Sequence, residues 1–157
     1  MVWFVISAAV VVLDQLTKLI IQKALAGMPV YEVTSFFQLV LAYNKGAAFS
    51  FLSDQSGWQR GFFIAVALIA SCVIVLLLRK HREEARFALA LSLILGGAIG
   101  NLIDRVLIGA VVDFLYFHVG EYYWPAFNVA DSAISCGAVL LIWDAVRKKS
   151  PEEKSSF

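Results

Sequence analysis

The sequence predicts an all-α membrane protein: four transmembrane helices, a small extracytoplasmic β-rich loop after the first, and a short outer connection between helices three and four. Three observations predict it. Hydrophobic residues make up 61% of the 157-residue chain and charged residues 16%, with a mean hydropathy of +0.79. Soluble domains carry about 45–50% apolar and about 25% charged residues. Four apolar runs approach the roughly 20 residues needed to cross the hydrocarbon core, and the basic residues gather in alternate connections.

The first run covers about 2–25. No Lys or Arg precedes it, and Asp14 and Lys18 interrupt it, so Ala24-Leu25-Ala26 is not read as a signal cleavage site and the segment is expected to stay as a helix. The outer loop, about 26–60, has β-branched and aromatic residues in short runs, with turn residues at Asn44-Lys45-Gly46 and Ser53-Asp54. These features predict a small sheet or hairpin on the membrane surface. The second run, about 61–78, leads into the basic loop 79–86; the third, about 87–108, leads into the connection 109–125. The fourth, about 126–146, opens into a solvated tail, 147–157, through Arg147-Lys148-Lys149. The positive-inside bias places both termini and the basic loop in the cytoplasm. Trp58, Tyr116, Tyr122, Tyr123 and Trp124 then form an outer aromatic belt.

Residues 1–157 are expected to make one domain, working as a monomer. A net charge of +1, without basic runs interleaved with aromatics, gives no sign of a nucleic-acid partner. Cys72 and Cys136 lack paired spacing and are expected to be small packing residues.

An ionisable side chain at the centre of a membrane helix costs on the order of 2.5–3.5 kcal/mol. The first run nevertheless carries Asp14, Gln15 and Lys18, and the third carries Asn101, Asp104 and Arg105. At about 1.5 Å per residue, Asp14 and Asn101 lie roughly 18 Å and 21 Å from the cytoplasmic starts of their helices. Both fall in the outer half of a core about 30 Å thick. Asp113 and Asp131 flank the outer ends of helices three and four, so polar groups from separate crossings converge on one level. Plainer tasks compete. Asp14 and Lys18 can neutralise each other across one turn, Arg105 can snorkel to the interface, and Gly96 and Gly100 suit close helix packing. Asn128-Val-Ala-Asp131 has the form of a capping box, which is compatible with a further role for Asp131.

Two carboxyls held close cannot both ionise cheaply and share a proton. One can then activate water while the other polarises a carbonyl, which is the chemistry of aspartyl peptide hydrolysis and needs no metal or cofactor. His81 and His118 stand apart, and no zinc-type His cluster or Gly-x-Ser-x-Gly occurs. A transporter or proton relay uses similar intramembrane charges, but would spread them through the whole depth of the bilayer.

Five blocks extend this reading. They are Asp14-Gln15-x-x-Lys18; Asn44-x-Gly46-Ala47-Ala48-Phe49; Gly96-Gly97-Ala98-x-Gly100-Asn101-x-x-Asp104-Arg105; Val111-Val112-Asp113-Phe114; and Phe127-Asn128-x-Ala130-Asp131. In this order they resemble the lipoprotein signal peptidases, or type II signal peptidases, which are bacterial membrane aspartyl proteases. The resemblance spans nearly the whole chain. It implies that Asp113 and Asp131 form the catalytic pair. It also implies cleavage of prolipoproteins on the amino side of a diacylglyceryl-modified cysteine in the inner membrane, near its outer surface and beside membrane lipid. Asn44 and Arg105 would hold substrate carbonyls, and Asn101 and Asn128 would orient the aspartates or the substrate. Asp14 would brace the outer loop or pair with a basic neighbour, while Lys18, Gly46 and Asp104 support the site.

Overall fold

Each apolar run becomes one helix in the computed structural model, which describes residues 1–28, 30–46 and 58–149. The chain order is α1 (Val2–Ala24), β1 (Val30–Thr34), β2 (Phe37–Asn44), α2 (Trp58–Lys80), α3 (Ala85–Leu107), β3 (Val111–Val119), β4 (Tyr122–Tyr123) and α4 (Val129–Lys149). The helices are 21 to 23 residues long. At about 1.5 Å per residue, each reaches across a hydrocarbon core about 30 Å thick. All four are apolar enough to do so.

The third helix is the axis of the bundle: α1, α2 and α4 all pack on it. Its sequence explains why. A Cβ on Gly96 would stand 2.7 Å from the Ser7 carbonyl oxygen, and one on Gly100 would stand 2.6 Å from Asp14 Oδ2, so these two glycines let α1 approach. Gly97 does the same for α4 at Ala130, and α4 answers with Gly137, where a Cβ would meet the Ala90 carbonyl at 2.7 Å. Small residues let helices associate in lipid because dispersion contact rather than water exclusion drives their packing. The outward faces keep large apolar side chains such as Leu16, Ile20, Ile69, Leu76 and Ile142 exposed, as a lipid-facing surface requires. Cys72 and Cys136 are exposed as well, so they are not the packing residues their apolar surroundings suggested.

The strands form one antiparallel sheet in the order β1-β2-β3-β4, at the end of the bundle where α1 and α3 finish and α2 and α4 begin. The β-rich outer loop is thus observed, but it is only half of the sheet. The connection 109–125 is more than a short link, since it supplies the nine-residue β3, which pairs Phe37 with Phe117 and Asn44 with Val111. Val111, Val112, Phe114 and Phe117 suit a pleated surface, and Gly109, at φ 78°, allows the turn out of α3. The β1–β2 turn falls at Ser35-Phe36 rather than at Asn44-Lys45-Gly46, where the chain instead leaves β2. Ser53-Asp54 and Ala47-Ala48-Phe49 lie outside the described residues. Phe114 packs with Ile21 and Leu25, which seats the sheet on the end of α1.

Candidate active site

Asp113 and Asp131 arrive from different elements and meet through one amide. Asp113 lies on β3, two positions from the end of that strand's pairing with β2, opposite Ala42. Asp131 lies in the first turn of α4. Between them, Asn128 donates from Nδ2 to Asp113 Oδ1 at 2.8 Å. Its Oδ1 accepts from the Asp131 backbone N at 2.9 Å, and Asp131 Oδ2 accepts from the Asn128 backbone N at 3.3 Å. This is the capping box read from the sequence, with the cap also holding the second carboxylate.

Each aspartate has a further donor. Asn44 Nδ2 reaches Asp113 Oδ2 at 3.0 Å, and Asn101 Nδ2 reaches Asp131 Oδ1 at 2.8 Å. Asn44 sits diagonally across the β2–β3 ladder from Asp113, and its own Oδ1 accepts from the Gly46 backbone N at 2.8 Å. Gly46, at φ 101°, closes that small turn against Phe63. Only 2% of Asp113 is exposed. Burial pushes its carboxyl up to about 6, against the donors Asn44 and Asn128, with the Asp131 charge adding to the rise.

Beneath the pair lies a second layer, centred on Lys18. Its Nζ is 2.7 Å from Asp14 Oδ2, 2.8 Å from Asp104 Oδ2 and 3.1 Å from Asn101 Oδ1, so the ammonium spends all three protons inside the protein. Asp14 Oδ1 accepts from the Ala130 backbone N at 2.9 Å, and Asp104 Oδ2 accepts from Val112 N at 3.0 Å. The network therefore fastens α1, α3, β3 and the start of α4 to one another. Asp14 and Lys18 do neutralise each other, but as part of a larger group. Buried completely, they serve the scaffold and are closed to a substrate backbone.

All ten sequence-predicted residues thus fall at one end of the bundle, in bonded contact or one residue away from it. Arg105 stands apart from the carboxylates: its Nη1 donates to the Asn101 carbonyl at 3.3 Å and its guanidinium lies 5.1 Å from the Phe63 ring centre. Sequence reasoning placed Gln15 in a motif without naming its contact, and gave Arg60 and Phe63 no task. Gln15 Nε2 bonds the Gly100 carbonyl at 3.1 Å and Asp104 Oδ1 at 2.9 Å; an amide inside an apolar run was the available signal. Arg60, on α2, donates to the Arg105 and Val106 carbonyls at 2.9 Å and 2.7 Å, satisfying the open end of α3. Phe63 gives Arg105 an aromatic face, and nothing in its sequence context marks it.

Fold and site together define a class: an aspartyl peptidase embedded in the membrane. The sequence matches the family described as "Signal peptidase (SPase) II" over residues 6–147. A lipoprotein signal peptidase of Janthinobacterium sp. (strain Marseille) is 56% identical over 93% of this chain and 88% of its own length. One from Azoarcus sp. (strain BH72) is 53% identical over 96% and 86%. A solved structure described as a bacterial membrane enzyme superimposes with a TM-score of 0.83 at 34% identity, covering 96% of this chain and 90% of that one. The chain belongs to the signal peptidase II family.

Proposed function

We propose that the chain removes signal peptides from diacylglyceryl-modified prolipoproteins, cutting on the amino side of the lipidated cysteine, with Asp113 and Asp131 as its catalytic residues. The observation that carries this reading is the Asn128 side chain, which is bonded to both aspartates and holds them as a pair. Asp113, buried and pushed up to about 6, keeps the shared proton. It donates that proton toward the scissile carbonyl oxygen, while Asp131 takes a proton from water as the water attacks the carbonyl carbon. When the tetrahedral intermediate collapses, one of its hydroxyls gives a proton back to Asp113 as the C–N bond breaks and Asp131 passes its own proton to the leaving nitrogen, which restores the pair.

A signal peptide crosses as a helix, whose carbonyls are closed to attack, so the segment around the bond must unwind. Freed backbone groups cost several kcal/mol each if stranded in hydrocarbon. The half-buried Arg105 and Asn44 border the site where such groups would arrive and are the side chains to receive them, whereas Asp14 and Lys18 are buried completely. The diacylglyceryl chains remain in the bilayer beside the bundle. Arg79, Lys80 and Arg82, with Arg147 and Lys148, mark the end opposite the sheet as cytoplasmic, so the aspartates face the extracytoplasmic side. The whole of 1–157 acts as one protease domain and one copy suffices, since the network closes within a single chain.

The test compares Asp113→Asn and Asp131→Asn with wild type on a lipidated precursor in liposomes. Each variant is expected to insert normally and to lose about 10³-fold or more in cleavage rate, within the range of acid–base catalysis. Near-normal cleavage by either removes the pair. Among the described residues no group of His, Cys, Asp and Glu is arranged to hold a metal ion, and chelator is expected to leave the rate unchanged.

A further inference from the structure

At the other end of the bundle, α1 and α2 both pack on α3 but barely on each other. Between them is a crevice of about 400 Å³, lined by Phe4, Ala8 and Val12 of α1, Val75 of α2, and Leu95 and Ile99 of α3. Ser7 also borders it, but its hydroxyl is committed to the Trp3 and Ser92 carbonyls, at 3.2 Å and 2.9 Å. The walls therefore offer hydrocarbon contact and no free polar group. Phe4 to Val12 spans eight residue steps, or about 12 Å of helix. That length matches the depth of one leaflet, about half of a 30 Å core, and is too short for a partner helix that crosses the membrane.

The crevice ends beneath a basic turn. Trp3 packs at its base against the group around Leu78, and its indole Nε1 donates to the Arg82 carbonyl at 2.8 Å, which holds the turn beside the start of α1. Arg79 and Lys80 are exposed there and make no ion pair among the described residues, while Arg82 meets only the exposed Glu83, at 3.1 Å. The slot is apolar and about one leaflet deep, and the exposed Arg79 stands one helical turn beyond Val75 on α2, so an acyl chain within and a phosphate near the turn suit its shape and charge.

We propose that the α1–α2 crevice is a binding site for a single anionic phospholipid, separate from the aspartate site, with its acyl chain against Ala8 and Val12 and its headgroup at Arg79 and Lys80. Native mass spectrometry of the purified, delipidated full chain, titrated with phosphatidylglycerol or phosphatidylcholine, tests it. Wild type is expected to retain one phosphatidylglycerol about tenfold more tightly than phosphatidylcholine, as two cations near the headgroup predict. Ala8→Trp fills the crevice from an exposed position and is expected to weaken both lipids while leaving precursor cleavage intact; Val12→Trp serves if that variant does not fold. Replacing Arg79 and Lys80 by Gln is expected to erase the preference and keep the chain-dependent retention. Equal retention of the two lipids by wild type overturns the proposal, and so does undiminished phosphatidylglycerol retention by the folded tryptophan variant.

Discussion

Asn44 shows how much one amide contributes to the site. It donates to the carboxylate of Asp113, which favours the charged form and opposes the upward push of burial. If the pair works with one shared proton, cleavage falls as pH rises through about 6, where Asp113 gives its proton up. Removing the Asn44 donor leaves the charged form less supported, so the Asn44→Ala variant is expected to move that alkaline limb to higher pH. Its measure is the pH profile of kcat/KM on a lipidated precursor; an unmoved or lowered limb contradicts the assignment. The convergence of Asp14, Asn101, Asp113 and Asp131 on one end of the bundle was legible in the sequence, because a polar side chain in or beside an apolar run has to be explained. Which oxygen meets which nitrogen was not. The aim of an amide such as Asn101 depends on what three other elements bring to it.

Among elements, the helices were legible to within a few residues because their apolar length is set by the bilayer. The fourth starts at Val129 rather than near 126, since the bridge between Leu115 and Phe127 holds the preceding chain against β3. Strand β3 was missed as a strand because its run of apolar and aromatic residues also suits an interfacial connection, and pairing with the distant β2 leaves no local mark. Asp144 was missed too: it is buried at the opposite end of α4 and bonded to Lys148 at 2.9 Å and Arg86 at 3.4 Å. The tie that matters most between elements is Lys18, which joins α1 to α3. Lys18→Met leaves Asp14 and Asp104 buried together without a cation, and breaking such a buried group costs about 3–5 kcal/mol. Thermal unfolding in detergent is expected to show this loss, with cleavage falling as well. A variant as stable as wild type would mean that the carboxylates need no such neutralisation.

For the whole molecule, the sheet and both aspartates share one end of the bundle and the basic turn occupies the other. The positive-inside bias then predicts opposite accessibility for two exposed positions. In a background with Cys72 and Cys136 replaced by Ala, a cysteine at Glu121 is expected to react with a membrane-impermeant maleimide in intact spheroplasts. One at Glu83 is expected to react only after lysis. The reverse pattern would invert the molecule and leave the site on the wrong side for an exported substrate. This separation of ends was the most legible feature of all, because alternating basic loops write it directly into the chain.

Asn128 has two amide hydrogens, yet three oxygens lie within its reach: Asp113 Oδ1 at 2.8 Å, and Val112 O and Asn101 Oδ1 at 3.2 Å each. Asn101 Oδ1 also takes a proton of Lys18, at 3.1 Å, so the shortfall is met from inside the protein. With no solvent reaching Asn128, this corner is a fixed strut, and an arriving peptide finds carboxylates that are already aimed.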